Sequence, residues 1–287
     1  MWYRLWAFIQ LSRPHFLVGG FLMFGLGAAT VSSIGAADYV WGQVLVSSTQ
    51  LTAHYVNEYA DVEPDRHVQH RTFFSGGSGV LAEEVLPART ALYAAWASTL
   101  VAVATAVSFV DRSPWVTAVG LVALGVSWAY SIPPIRLLDR GFGELITSAV
   151  VAGGVPLIAP LSQHMVTAEL WWSIAILVPV HGSMILALEL PDLDSDSIAG
   201  KRVLAVRLGR HCTEWLIVGL AASGIAIGVI GITAGDLPST VTLAAVAVVP
   251  AAVMVMSMTT RRHDVLTASA VTTFVTAGAG LLVGLSI

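Results

Sequence analysis

Long apolar runs broken by short polar clusters recur along the whole chain. Stretches near residues 15–35, 40–57, 90–110, 115–132, 143–162, 170–190, 214–234, 238–258 and 265–287 each approach the roughly 20 apolar residues a helix needs to cross a bilayer. The pattern predicts an all-α integral membrane protein with nine transmembrane helices and a single domain over residues 1–287. The third and fourth spans are joined only by VDRSP, and the seventh and eighth by a few residues around Asp236, so the count needs a check independent of hydropathy.

Charge supplies that check. If nine helices alternate direction, one face receives Arg4, Arg13, Arg66, Arg71, Arg89, Arg136, Arg140, Lys201, Arg202, Arg207, Arg210, Arg261 and Arg262, and the other receives only Arg112. A miscounted helix would scramble this split. Basic residues concentrate on the cytoplasmic side of membrane proteins, so the chain is predicted to run N-in and C-out. The first span follows LSRPHFL without a short cleavable pattern and reads as a retained anchor. The composition, 56% hydrophobic and 11% charged with a mean hydropathy of +0.78, agrees with a chain embedded in a lipid bilayer. No nucleic-acid partner is expected. Cys212, the single cysteine, excludes an intrachain disulfide and a thiolate metal cluster.

Two acidic segments interrupt this apolar background. In HYVNEYADVEPDRH, Asn57, Asp61 and Asp65 are spaced four apart and would share one helix face. Asp192 and Asp196 in ELPDLDSDSIAGKRVLAVRLG repeat that spacing, and 131 residues separate Asp61 from Asp192 and Asp65 from Asp196 alike. That offset spans four predicted helices, which implies two related four-helix repeats plus a ninth helix, with equivalent ends on one membrane face. A calcium loop beginning at Asp192 fails, because Ser197 replaces the glycine and Val203 the terminal glutamate. Hard carboxylate oxygens suit Mg²⁺, which is usually completed by substrate phosphates. Four aspartates and a diphosphate of about −3 repel one another unless two Mg²⁺ ions and neighbouring cations such as Arg66 and Lys201 offset them.

At these residues the sequence resembles the UbiA superfamily of intramembrane prenyltransferases, whose NxxxDxxxD and DxxxD motifs correspond to Asn57-Asp61-Asp65 and Asp192-Asp196. LSRPHFL, YSIPPIRLLDRGFGE (Tyr130 to Glu144) and GKRVLAVRLG (Gly200 to Gly209) follow the family's order. FSGGSGVL, from Phe74 to Leu81, resembles the menaquinone-pathway branch, which prenylates 1,4-dihydroxy-2-naphthoate, more than the 4-hydroxybenzoate branch. One departure stands out: where that branch usually has an asparagine pair, this chain has Leu188-Glu189-Leu190-Pro191.

The resemblance implies Mg²⁺ held by Asn57, Asp61, Asp65, Asp192 and Asp196, and the four aspartates as the catalytic set. It implies that Asn57, Arg66, Lys201, Arg136, Tyr130 and Arg13 bind the diphosphate of a prenyl diphosphate, which alkylates a hydrophobic aromatic acceptor. A terpene cyclase of the same superfamily would use the same motifs. A secondary transporter would place its acids nearer the bilayer midplane.

Overall fold

The computed structural model describes residues 2–66, 71, 77–260 and 262–287, and among them every regular element is helical. Helix α1 (Trp2–Ser12) ends where Arg13 adopts a left-handed conformation (φ 48°) before Pro14, and α2 (Leu17–Ala29) follows. Helix α3 (Ala36–Ala60) leads into the short α4 (Val62–Asp65), and α5 (Arg89–Val107) and α6 (Pro114–Ser131) complete the first half. Pro114 opens α6 at a position where its missing N–H costs no helical bond.

The second half begins with α7 (Gly143–Ser148), which continues through a π-helical turn (Ala149–Gly154) into α8 (Val155–Ser162). Then come α9 (Ala168–Glu189), the short α10 (Leu193–Ile198), α11 (Leu204–Ala234), α12 (Val248–Thr260) and α13 (His263–Ser286). Helix α11 is kinked at Gly209, whose φ of 74° and ψ of 161° are not helical.

Six of these segments are long and apolar enough to cross a membrane: Arg89–Val107, Pro114–Ser131, Gly143–Ser162, Ala168–Glu189, Leu204–Ala234 and Asp264–Ser286. The other three predicted spans also carry helix but fall short for separate reasons. Helix α2 has only 13 residues. Helix α3 is long but carries Gln43, Ser47, Ser48, Thr49, Gln50, Thr52 and His54. The stretch near 238–258 is divided between a 3₁₀ segment, Ser239–Ala247, and α12.

Packing follows small residues. Helix α3 lies along α5, and α9 along α11, so each acidic motif sits at the end of a helix packed lengthwise on its successor. Where α11 crosses α9, Gly224 brings the backbones close: a Cβ there would lie 2.7 Å from the Ile176 carbonyl oxygen and collide with Val180. Phe24, Leu45, Val46 and Phe109 of the first half pack with Ile158 of α8, and Met23, Leu177, Val180, Phe274 and Leu281 join α2 to the second half.

Gly224→Leu should therefore cost ~1–3 kcal/mol through overpacking. Gly219→Leu, on the same helix with nothing within 4 Å of the place a Cβ would take, should leave the thermal unfolding midpoint in detergent near wild type. Equal midpoints for the two variants would show that the α9–α11 contact is not close-packed.

Candidate active site

Asn57 and Asp65 lie on either side of a helix break at Asp61. The chain leaves α3 at Asp61 (φ −98°, ψ 9°) and re-enters a helix at Val62, yet the four-residue register survives. The Asp61 N–H donates to the Asn57 carbonyl at 2.9 Å, and the Asp65 N–H donates to the Asp61 carbonyl at 2.8 Å. Pro64 falls within the first turn of α4, where no helical hydrogen bond is lost. The second motif is built the same way: the Asp196 N–H donates to the Asp192 carbonyl at 2.8 Å, and the Lys201 N–H to the Asp196 carbonyl at 2.9 Å.

Both motifs line one cavity of about 260 Å³, together with Arg13, His54, Tyr130, Glu189 and Lys201. Lys201 joins them, its Nζ 3.4 Å from Asp61 Oδ2 and 3.1 Å from Asp196 Oδ1. Burial pulls the Lys201 ammonium down, but Asp61 and Asp196 outweigh it and leave its pKa above the ordinary value. On Asp61 the balance is reversed, because burial raises the carboxyl by more than Lys201 lowers it. Asp65 is pushed up to about 7, first by burial and then by the charges of Asp61 and Glu58. Gly77 (φ 67°) presses its backbone against the Asp65 carboxylate, where a Cβ would overlap it. The rest of the predicted glycine segment, residues 74–76, lies outside the described residues.

A second cavity of about 250 Å³ adjoins the first and shares Arg13, His54, Asn57 and Tyr130 with it. Its walls are otherwise mostly apolar, lined by Leu45, Val46, Val126 and Ile158 and by Val150 and Val151 from the π-helical turn. The arrangement is an acidic head pocket on an apolar chamber.

Two predicted diphosphate ligands point elsewhere. Arg66 bonds to Glu63 at 3.0 Å and Glu84 at 3.1 Å on the surface. Arg136, with a left-handed backbone (φ 42°), pairs with Asp139 at 2.9 Å and does not line the pocket, although its charge reaches Asp61. Glu58 is a residue the sequence pattern did not single out. It is 3% exposed, accepts the Ser78 N–H at 2.8 Å and the Ser78 hydroxyl at 2.6 Å, and lies 3.7 Å from Arg13. Its signal was an acid beside Asn57 near the end of α3, a helix with no lysine or arginine to match it.

The donor set fits Mg²⁺. Among the described residues no three His, Cys, Asp or Glu side chains form a ready-made cage, and Mg²⁺ does not require one, since one or two carboxylates plus phosphate oxygens suffice. Asp61, Asp65, Asp192 and Asp196 present only oxygen donors around one pocket.

Residues 18–278 match the UbiA prenyltransferase family. The chain belongs to that family. Two bacterial relatives are both named 1,4-dihydroxy-2-naphthoate octaprenyltransferase. The one from Bacillus subtilis (strain 168) is 26% identical over 70% of this chain, which spans just under two thirds (65%) of that protein. The one from Mycobacterium tuberculosis (strain ATCC 25618 / H37Rv) is 29% identical over 68% of this chain and 69% of that protein. Among solved structures, an apo UbiA homolog from Aeropyrum pernix K1 has the same fold, with a TM-score of 0.74 at 15% identity over 94% of this chain and 98% of that one. A UbiA homolog from Archaeoglobus fulgidus bound to DMAPP and Mg²⁺ gives 0.63 at 14% identity, over 94% and 86%.

The raised Asp65 sets a pH dependence. A carboxyl with a folded-state pKa of about 7 instead of 3.8 stabilises the metal-free fold at low pH, and that contribution is lost as pH rises through about 7. Mg²⁺ needs the carboxylate, so its affinity should climb about tenfold per pH unit below 7 and level off above. Calorimetric titration of wild type against Asp65→Asn checks this, the variant showing a flatter slope.

Proposed function

We propose that the protein is a Mg²⁺-dependent intramembrane prenyltransferase that moves an isoprenyl group from a prenyl diphosphate to an aromatic quinone precursor, releasing diphosphate. The observation that carries this reading is the meeting of Asp61, Asp65, Asp192 and Asp196 around one pocket that opens onto an apolar chamber. Such a pair of cavities suits a molecule with a polyanionic head and a hydrocarbon tail. The acceptor chemistry of the bacterial relatives and the DMAPP and Mg²⁺ bound to the archaeal homolog support the same reading.

Asp61, Asp65, Asp192 and Asp196 would hold Mg²⁺, which would supply charge neutralisation of the diphosphate leaving group. Lys201 and Arg13 stand at the pocket to take up the remaining negative charge as the allylic C–O bond breaks. Asn57 and Tyr130, at the junction of the two cavities, orient the carbon that links head to tail. The apolar walls hold the first part of the chain and keep water from the allylic cation, and a longer tail continues between helices toward lipid. Arg66 and Arg136 join the diphosphate site only by leaving Glu63, Glu84 and Asp139.

Asp61→Ala or Asp192→Ala should reduce product formation by at least ~10²-fold, and EDTA should abolish it reversibly, while the protein still inserts and purifies. Product analysis by mass spectrometry with prenyl diphosphates and aromatic acceptors checks both. A cyclised hydrocarbon formed without any acceptor adduct would favour the cyclase chemistry instead.

We further infer nine passes over residues 1–287, N-in and C-out, as two four-helix repeats plus a last helix, with the acidic pocket facing the cytoplasm. The basic residues clustered beside the aspartate motifs support this orientation. In a Cys212→Ser background, Glu84→Cys and Ser197→Cys should react with an impermeant thiol reagent from the cytoplasmic side of sealed vesicles. Met165→Cys should react only from the other side. Labelling of positions 84 and 197 from opposite sides would sink both the topology and the shared pocket.

A further inference from the structure

Alkylating a hydroxylated ring at a carbon that bears hydrogen forms one carbon–carbon bond and releases one proton. An apolar chamber that keeps water from the allylic cation must dispose of that proton through a side chain. None of the residues lining the chamber carries a carboxylate, and His54 is the one among them able to accept a proton near neutral pH. The other polar groups there are the Arg13 guanidinium, amides and hydroxyls, none of which is a base.

His54 sits three residues before Asn57 on α3 and lines the chamber and the acidic pocket alike. Its Nδ1 lies 3.2 Å from the Ser12 carbonyl oxygen. A carbonyl oxygen only accepts, so the neutral imidazole carries its proton on Nδ1 and keeps a lone pair on Nε2. Among the described residues no protein group bonds Nε2, and the ring is only partly buried. The Phe16 ring meets it at an angle of 64° with centroids 5.9 Å apart. Ser12 and Phe16 thus orient the imidazole, and neither belongs to the metal or diphosphate set. The charged groups around it are Arg13, which lines both cavities, His15, which packs on Phe16 at 4.3 Å, and, in the acidic pocket alone, the aspartates, Glu189 and Lys201.

We propose that His54 is a general base, its Nε2 taking the hydroxyl proton of the acceptor as the ring carbon attacks the prenyl group. The inference rests on the prenyl-transfer reading of the site. As the allylic C–O bond breaks, its electron pair leaves with the diphosphate. A ring π pair forms the new carbon–carbon bond, and the O–H pair becomes part of a carbonyl as the proton moves to Nε2. The dienone so formed regains aromaticity when the proton on the alkylated carbon moves to oxygen. The imidazolium passes its own proton to the released diphosphate in the adjoining pocket, so one proton leaves with each diphosphate and His54 returns to the neutral state.

His54→Gln retains a donor for the Ser12 carbonyl and an acceptor for the ring hydroxyl, but it cannot take up a proton. In the full chain, with saturating Mg²⁺ and prenyl diphosphate, it should lower kcat for a phenolic acceptor by ~10²-fold or more and leave the KM of the prenyl diphosphate unchanged. Above about pH 7.5, wild type should be flat, whereas the variant should gain about tenfold per pH unit as the phenol, with a pKa of about 10, ionises by itself. His54→Ala should recover activity when imidazole is added. Structural damage would lower the rate equally at every pH and would not respond to imidazole. A variant with wild-type kcat, or one whose slower rate is flat with pH, overturns the proposal.

A nitrophenol probe reads the same proton transfer without turnover. Bound to wild type with Mg²⁺ and diphosphate, it should show phenolate absorbance at a pH where the free probe is protonated, and His54→Gln should abolish that shift. Absence of the shift in wild type, or its persistence in the variant, overturns the proposal. A His54-dependent shift in a protein that prenylates no acceptor would support the base and overturn the transfer reading.

Discussion

Acidic side chains next to a bilayer must be compensated, and Lys201 is where this protein meets that constraint. Its ammonium contacts Asp61 from the first half of the chain and Asp196 from the second, with all three side chains nearly buried. Removing one partner from a buried pair of this kind typically costs ~3–5 kcal/mol, because the other charge is left exposed to a low dielectric. The same contact gathers the metal-type ligands on one side of the molecule. Stability of the interface between the halves and assembly of the pocket are thus one interaction.

The polar character of α3 follows from the same geometry. Gln50 donates to the Phe16 carbonyl at 2.9 Å, His54 lies 3.2 Å from the Ser12 carbonyl, and the Tyr55 and Ser12 hydroxyls are 2.7 Å apart. These bonds tie α3 to the irregular stretch around Pro14. They also hold Arg13 at the pocket, over the Phe16 ring at 4.6 Å. His54, which lines both cavities, therefore has a bracing job independent of any chemistry.

The division between head pocket and apolar chamber has its own physical cause. Acidic residues fall at helix ends, where backbone turns such as the break at Asp61 expose them to one another, while the middle of each helix can present only side chains that a bilayer tolerates. The π-helical turn at Ala149–Gly154 places Val150 and Val151 on the chamber wall beside the small residues of α6. Irregular helix is thus spent on shaping a cavity.

Membrane embedding, all-helical class, the two aspartate motifs and their four-residue spacing were all legible in the sequence, because each depends on local composition or on neighbours within one helix. The nine apolar stretches all carry helix, but α2 is too short and α3 too polar to qualify as spans by length and apolarity alone, since their partners satisfy them in ways that hydropathy does not record. Long-range pairing was hidden. The engagement of Lys201 with both motifs, the outward turn of Arg66 and the anchoring of Ser78 by Glu58 depend on which loops meet in space. The sequence by itself determined what kinds of ligand and solvent this chain can hold, because charge and hydrophobicity belong to residues. Only the tertiary structure decided which charges face the pocket and which neutralise one another, because that depends on distances between groups far apart along the chain.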